Sequence, residues 1–264
     1  MEKHEYISRF DSLILNPSIR KFYGIKEFFN VGYWLSDIQN QQSACEILME
    51  KVLDLIPQKD GNILDVGCGL GATTRHLLKY YPSTHIVGIN ISPQQIEKSR
   101  INSPECKFIC MDAVQMEFED ESFDNIICVE AAFYFDSREK FIKEAWRVLK
   151  PGGYFILSDI IFKDISHFGD WIVPEKNITK DKDVEEYKNL YQQAGFQLLD
   201  FVDVTEECWL KHYRYLKSSI EEEFQAGEIN EQTYQLNVNG IDRLLTSSSI
   251  AYLLVSTKKP VKVI

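Results

Sequence analysis

Alternating strand and helix signals predict an α/β fold with a mainly parallel sheet. Two observations carry that expectation. Between residues 62 and 161 the chain switches repeatedly from short β-branched runs to helical patterns, the rhythm of strands joined by crossover helices. The run Ile63-Leu64-Asp65-Val66-Gly67-Cys68-Gly69-Leu70-Gly71 is a buried-strand pattern that opens into bare backbone ahead of a helix. An α/β sheet receives a nucleotide-like ligand in that way.

The elements are expected in the following order. A helix is expected near 3–14, and Pro17 and Gly24 break the segment that follows. Residues 40–56 repeat apolar positions at helical spacing (Ala44, Ile47, Leu48, Val52, Leu55), and Pro57 ends them. Strand one is 62–66, with a helix near 72–81, and strand two is 84–90. Ser92-Pro93 then starts a helix with a capping side chain and a proline at the first position. Strand three is 106–111, strand four 123–129, and a helix covers 137–149. Lys150-Pro151-Gly152-Gly153 makes a turn into strand five, 154–161. An irregular loop is expected at 164–180, a helix at 181–194 stopping at Gly195, and strand six at 196–204. Residues 206–245 read as two helices before a last strand at 249–257. A connection of some forty residues between the final strands exceeds ordinary loop lengths, so it reads as a cap over a site.

The 264 residues carry a net charge of −11. Nucleic-acid partners are recognised by clustered Lys and Arg, and no such cluster stands out. No apolar run is long enough to span a bilayer. The N-terminal Met-Glu-Lys-His-Glu-Tyr lacks the pattern of a signal peptide, so a cytoplasmic protein is expected. The cysteines (45, 68, 106, 110, 128 and 208) show no metal-site or disulfide spacing. Cys106 and Cys110 fall on one face of a strand, as reduced core thiols.

Gly67, Gly69 and Ala72 also satisfy the loose dinucleotide pattern, and a plain tight turn would use the same glycines. Two residues weigh against a dinucleotide. A carboxylate at Asp65 would repel a pyrophosphate, yet suits an ammonium and ribose hydroxyls. The end of strand two carries Asn90 where a dinucleotide enzyme has an acid.

In the order of its motifs over 62–161 the chain resembles the class I methyltransferases that use S-adenosylmethionine. The run Gly88-Ile89-Asn90-Ile91-Ser92 with Gln95 resembles their small-molecule branch of sugar O-methyltransferases, phosphoethanolamine and tocopherol methyltransferases and cyclopropane-lipid synthases. The resemblance implies a Rossmann-like seven-stranded sheet with a reversed last strand and helices on both faces. Residues 1–264 form one domain: an N-terminal lid segment (1–38), a cofactor-binding core (40–161) and a helical cap (206–245).

Carried over by position, Asp65, Gly67, Gly69 and Gly71 cradle the methionine and ribose parts of the cofactor. Asn90 and Gln95 share the ribose, and Ile91 packs on adenine; Gln95 also fits a capping box with Ser92. Asp112 and Ala113 read adenine, though an Asp there is also an ordinary turn residue. Glu130 presents its backbone to the sulfonium. Tyr33 and Trp34 resemble the aromatic pair that closes over the cofactor in cyclopropane synthases, or serve as core packing.

In the sugar enzymes a histidine pair follows the strand-four acid; here Phe133-Tyr134-Phe135 stand instead. The candidates for proton transfer and acceptor orientation are Asp159, His167, His212 and Tyr134. Trp209, Tyr213, Leu216, Ile220 and Phe224 recur at helical spacing and read as a packing face of the cap. The expected reaction is methyl transfer to oxygen or nitrogen of a medium-sized, partly apolar small molecule in specialised biosynthesis, leaving S-adenosylhomocysteine. Carbon methylation, amino-alcohol headgroup methylation and a nicotinamide oxidoreductase are the alternatives.

Overall fold

The structure, a computed structural model, describes residues 3–162, 184–246 and 250–261. Seven strands form one sheet: β1 Ile63–Val66, β2 Ile86–Asn90, β3 Lys107–Cys110, β4 Phe123–Val129, β5 Leu149–Phe162, β6 Gln197–Asp203 and β7 Ile250–Lys258. Their order is β3-β2-β1-β4-β5-β7-β6. The strands up to β5 pair in parallel, and β7 lies antiparallel between β5 and β6. The sheet is the seven-stranded, reversed-last-strand arrangement that the motif order implies.

The helices are α1 Lys3–Ile14, α2 Pro17–Tyr23, α3 Gln41–Asp54, α4 Ala72–Leu77, α5 Pro93–Asn102, α6 Arg138–Val148, α7 Val184–Ala194, α8 Lys211–Gln225 and α9 Glu231–Thr246. Polar residues cap α3, α5, α6 and α9. Asn40 accepts from the Ser43 N–H, Ser92 from Gln95, Ser137 from Lys140 and Asn230 from Thr233, each satisfying an orphan donor of a first turn. Gly195 stops α7 in a left-handed conformation, φ +99°.

The expected boundaries shift in three places. The helix after the glycine loop ends at Leu77. Strand five begins at Leu149, because Lys150 to Gly153 continue it as a distorted extension. There Gly152 takes φ +85°, and the register with β4 slips between Phe123 and Asn125. Such a bulge bends a strand without ending it. Cys106 is buried, but Cys110 is exposed, since β3 is an edge strand with little to cover its end.

Two apolar clusters cover the two faces of the sheet. One joins α3 and the cap to Ile63, Ile127 and Ile156; the other joins α6 and α7 to Leu64, Ile126 and Phe155. Between them β1, β4 and β7 are buried on both sides, whereas the edge strands β3 and β6 are partly exposed. This anchoring fixes the C-terminal ends of β1, β2 and β4, where chain order reverses across the sheet and a crevice opens.

Candidate functional site

A cavity of about 1690 Å³ opens at that crevice. It runs past Gly67–Leu70, Asn90–Ser92, Met111–Ala113 and Val129–Ala131, the ends of four neighbouring strands. The volume exceeds the ~300–1,000 Å³ of one ordinary ligand pocket, so two molecules fit side by side.

The glycine loop forms the floor of one half. All three of its glycines have positive φ, and each has its own reason to lack a side chain. A Cβ on Gly67 would stand 2.4 Å from the Ala131 Cβ, and one on Gly71 would stand 2.8 Å from the Ser99 Cβ. A Cβ on Gly69 would meet only the Ile14 Cδ1, at 3.9 Å. Gly67 and Gly71 therefore serve packing, whereas Gly69 leaves main chain bare towards the cavity.

Asp65 does not line the cavity. It is buried beneath the loop, and its Oδ2 accepts the hydroxyls of Thr73 and Thr74 at 2.7 and 2.6 Å. Burial lifts its carboxyl to about 6 against those two hydrogen bonds. The acid thus ties the loop to the first turn of α4, and its Oδ1 has no partner among the described residues.

Asn90, Ile91 and Gln95 all line the cavity. Half of the expected capping box forms, with the Gln95 N–H donating to Ser92 Oγ. The Gln95 side chain goes elsewhere: its Oε1 accepts from Asn90 Nδ2 at 3.1 Å and its Nε2 donates to Asp11 at 2.7 Å. Asp112 and Ala113 also face the cavity. Asp112 Oδ1 closes its own turn by accepting the Val114 N–H.

Tyr33 lies away from the cavity, with Lys51 Nζ over its ring at 5.4 Å. Trp34 is buried against Tyr215, ring centres 4.5 Å apart. The cause is Gly32, φ +77°, packed so tightly on Ala44 that the backbone turns there. Val31 then faces the site, Trp34 enters the core, and the partly buried Tyr33 packs against its edge.

The other half of the cavity is aromatic. Phe10, Tyr23, Phe29, Phe133, Tyr134, Phe162, Trp209 and Tyr213 line it in near-continuous ring contact. Phe10 meets Tyr134 at 4.7 Å, Phe133 meets Phe162 at 5.7 Å, and Trp209 meets Tyr213 at 4.6 Å. The helical stripe that reads as a packing face of the cap is mostly wall. Trp209, Tyr213, Leu216 and Ile220 line the cavity, while Phe224 stacks on Tyr234 of α9 at 4.4 Å.

Glu130 sits where the two halves meet. It is one of three described non-glycine residues with positive φ, +52°, a conformation costly for a residue with a side chain. Its N–H donates to Ser158 O. The carboxylate turns into the aromatic half, where Oε2 accepts the Val31 N–H and the Tyr252 O–H, each at 2.9 Å. Burial raises this carboxyl to about 8; those hydrogen bonds oppose the rise, and repulsion from Asp159 adds to it. Only the backbone of this residue was expected at the site. An acid closing the apolar run Ile126-Ile127-Cys128-Val129 was the signal that its side chain matters.

His212 also lines the cavity and is buried. Its Nδ1 lies 2.9 Å from Gln41 Oε1. Gln41 Nε2 donates to Asn30 O, which makes Oε1 the acceptor and places the histidine proton on Nδ1. Nε2 is then the unprotonated nitrogen. Burial lowers this imidazole to about 3, so it is neutral at pH 7.

Asp159 is absent from the cavity wall. It is fully buried, and its Oδ2 accepts from Arg138 Nε at 2.8 Å and from the Tyr187 hydroxyl at 2.8 Å. The Ile160 N–H donates to Oδ1. A carboxylate so engaged is a structural ion pair joining α6, α7 and β5. Tyr134 does line the cavity. His167 lies outside the described residues.

A family profile described as "Methyltransferase domain" matches residues 64–157. Among characterised proteins, the chain is 30% identical over 190 residues to methyltransferase GfsG of Streptomyces halstedii, covering 67% of this chain and 68% of that one. It is 27% identical over 192 residues to O-methyltransferase cnsE of Penicillium expansum, covering 68% of each. Among solved structures it resembles the [4+2]-cyclase SpnF, with a TM-score of 0.71 and 22% identity over 97% of this chain and 96% of that one. S-adenosylmethionine fits the residues present: bare backbone at Gly69 faces a cavity that has room beside one ligand for an acceptor. The glycine loop, the strand ends and the likeness to GfsG agree, and the chain belongs to the class I S-adenosylmethionine-dependent methyltransferases, in their small-molecule branch.

Proposed function

We propose that the acceptor is a hydroxyl oxygen on a medium-sized, partly apolar metabolite, and that Glu130 takes its proton. As a family member the chain uses S-adenosylmethionine to methylate small molecules. The observation that carries the finer reading is Glu130, a buried carboxyl turned into the aromatic half of the cavity, which the neutral imidazole of His212 also lines. A neutral amine needs no base before methylation, whereas an alcohol does. These groups stand in for the histidine pair that the sequence lacks.

Bound at the loop, the cofactor supplies a methyl group on a positively charged sulfur. The chain has three tasks. Gly67, Gly69 and Gly71 form the loop for the methionine part, with Asp65 bracing it from below through Thr73 and Thr74. Asn90 and Gln95 hold the ribose, while Ile91, Asp112 and Ala113 hold the adenine. The aromatic wall excludes water and keeps the acceptor oxygen within ~3–3.5 Å of the methyl carbon.

Glu130 accepts the hydroxyl proton as the oxygen–carbon bond forms and the carbon–sulfur bond breaks, its electron pair remaining on sulfur. His212 Nε2 accepts a hydrogen bond from the acceptor, and Tyr134 orients it, since a phenol of pKa ~10 is a poor base at neutral pH. In this reading 40–161 is the cofactor core, 1–38 the lid and 206–245 the cap. A net charge of −11 supports a small molecule rather than nucleic acid as acceptor. Six unpaired cysteines support a cytoplasmic setting. No helix among the described residues is long and apolar enough to cross a membrane.

A screen of paired acceptors, alike except for hydroxyl or amine, tests the reading by mass spectrometry of the methylated product. Transfer to hydroxyl members with a rising pH limb is expected. Transfer to amines alone would overturn it.

A further inference from the structure

The ribose reading puts two neutral amides, Asn90 and Gln95, beside the end of β2. A carboxylate joins them. Asp11, on α1, is only 4% exposed. Its Oδ1 accepts from Gln95 Nε2 at 2.7 Å and its Oδ2 accepts from Ser92 Oγ at 2.9 Å. Gln95 Oε1 in turn accepts from Asn90 Nδ2, and Asn90 Oδ1 accepts the Ser92 N–H at 2.9 Å.

A carboxylate can only accept, so it dictates the rest of the chain. Gln95 must turn its nitrogen to Asp11 and its oxygen to Asn90. Asn90 must turn its nitrogen to Gln95 and its oxygen to the Ser92 N–H. The Ser92 N–H, which can only donate, sets the same order from the other end, so losing the acid leaves Gln95 Nε2 without its partner and the two amides held at one end only. We infer that Asp11 is a positioning residue of the cofactor site: from the N-terminal helix it fixes the Asn90 and Gln95 amides that face the ribose hydroxyls. The inference rests on the reading of Asn90 and Gln95 as the ribose subsite.

The rest of α1 is placed to make this coupling matter. Ile14 stands over the glycine loop, 3.9 Å from where a Gly69 Cβ would lie, and Phe10 packs on Tyr134. One helix therefore touches the loop, the ribose amides and the acceptor wall. Cofactor affinity then depends on α1 being docked, and Asp11 is its polar link to the site.

Calorimetry with S-adenosylhomocysteine and with its 2′-deoxy and 3′-deoxy analogues tests this on the full chain. Asp11→Ala is expected to lose about tenfold or more in affinity for S-adenosylhomocysteine, the scale of a hydrogen bond to a charged group. It is also expected to lose most of the wild-type preference for the full ribose over the deoxy analogues. A role in folding alone would not change that ratio. Asp11→Asn, which accepts at one oxygen only, should fall between, and it carries the test if Asp11→Ala does not fold.

Wild-type discrimination in either folded Asp11 variant would overturn the inference. Gln95→Ala separates the two levels. If it loses discrimination while the Asp11 variants keep it, only the role of Asp11 fails. If it too keeps discrimination, the ribose reading beneath it fails.

Discussion

The two halves of the cavity are built on different plans. The cofactor half is assembled from short consecutive runs, each sitting at the end of one strand: 67–71 after β1, 90–95 after β2 and 112–113 after β3. The acceptor half draws its wall from α1, α2, residues 28–31, the turn at 132–134 and the cap. Its key acid, Glu130, is held by Val31 and Tyr252, which lie 99 and 122 residues away in sequence. A ligand shared by a whole family can be held by local motifs on a rigid sheet. A ligand peculiar to one chain is met by side chains that only the complete fold brings together.

The sharpest way to break this contrast is at the loop. Gly69→Val should leave a folded protein with no measurable heat on titration with S-adenosylhomocysteine. The added Cβ clashes with no atom, meeting only Ile14 Cδ1 at 3.9 Å, but a β-branched residue is strained at φ +54°, so the loop changes locally and binding is lost before the fold. Undiminished binding would mean that the loop is not the cofactor floor.

Next comes the acid between the halves. Glu130→Gln should lower kcat by ~10²–10⁴-fold, the usual contribution of a positioned base, with affinity for S-adenosylhomocysteine unchanged. Wild-type kcat/KM for the acceptor should rise with pH and level off above about 8, and the variant should lack that limb. The same carboxyl affects stability. Its folded value lies above the ordinary 4.5, so the fold favours the protonated form. That contribution is complete below about 4.5 and is lost as pH climbs to about 8. Denaturant unfolding should show stability falling with pH in the wild type and falling less in Glu130→Gln, above all between about 6 and about 8, where Asp65 no longer contributes. Equal slopes would mean that Glu130 titrates normally.

Asp159→Asn should act on the fold rather than the chemistry. Removing one partner of a buried pair costs ~3–5 kcal/mol, read by denaturant unfolding, and the pH–rate profile should keep its shape. A loss of kcat at full stability would return this residue to the reaction. The smallest effect is expected from Tyr134→Phe. Loss of one neutral hydrogen bond of ~1 kcal/mol should raise the acceptor KM about fivefold with kcat preserved. A large fall in kcat would make Tyr134 more than an orienting group.

The same division explains what the sequence revealed. The sheet, the glycine loop and the Ser92-Pro93 start were legible because each depends on neighbours within a few residues. Side-chain direction was not. Asp65 carries the family's acid, but its carboxylate turns under the loop to Thr73 and Thr74, and the adjacent threonines were the only hint. Asp159 looked poised for chemistry until Arg138, 21 residues earlier, was seen beside it. Tyr33 was misplaced because the contact that turns the chain, Gly32 against Ala44, is made across two elements. His212 lines the cavity, yet the proton position that defines its use depends on Gln41, 171 residues away.

The antiparallel strand wedged between β5 and β6 imposes an order on synthesis. Residues 250–258 leave the ribosome after both of the strands they separate. A nascent chain can thus carry every donor-binding segment while its acidic centre still lacks Tyr252, and the sheet closes around that tyrosine last. Under the proposed reading, translation completes the donor subsite before it completes the acceptor subsite.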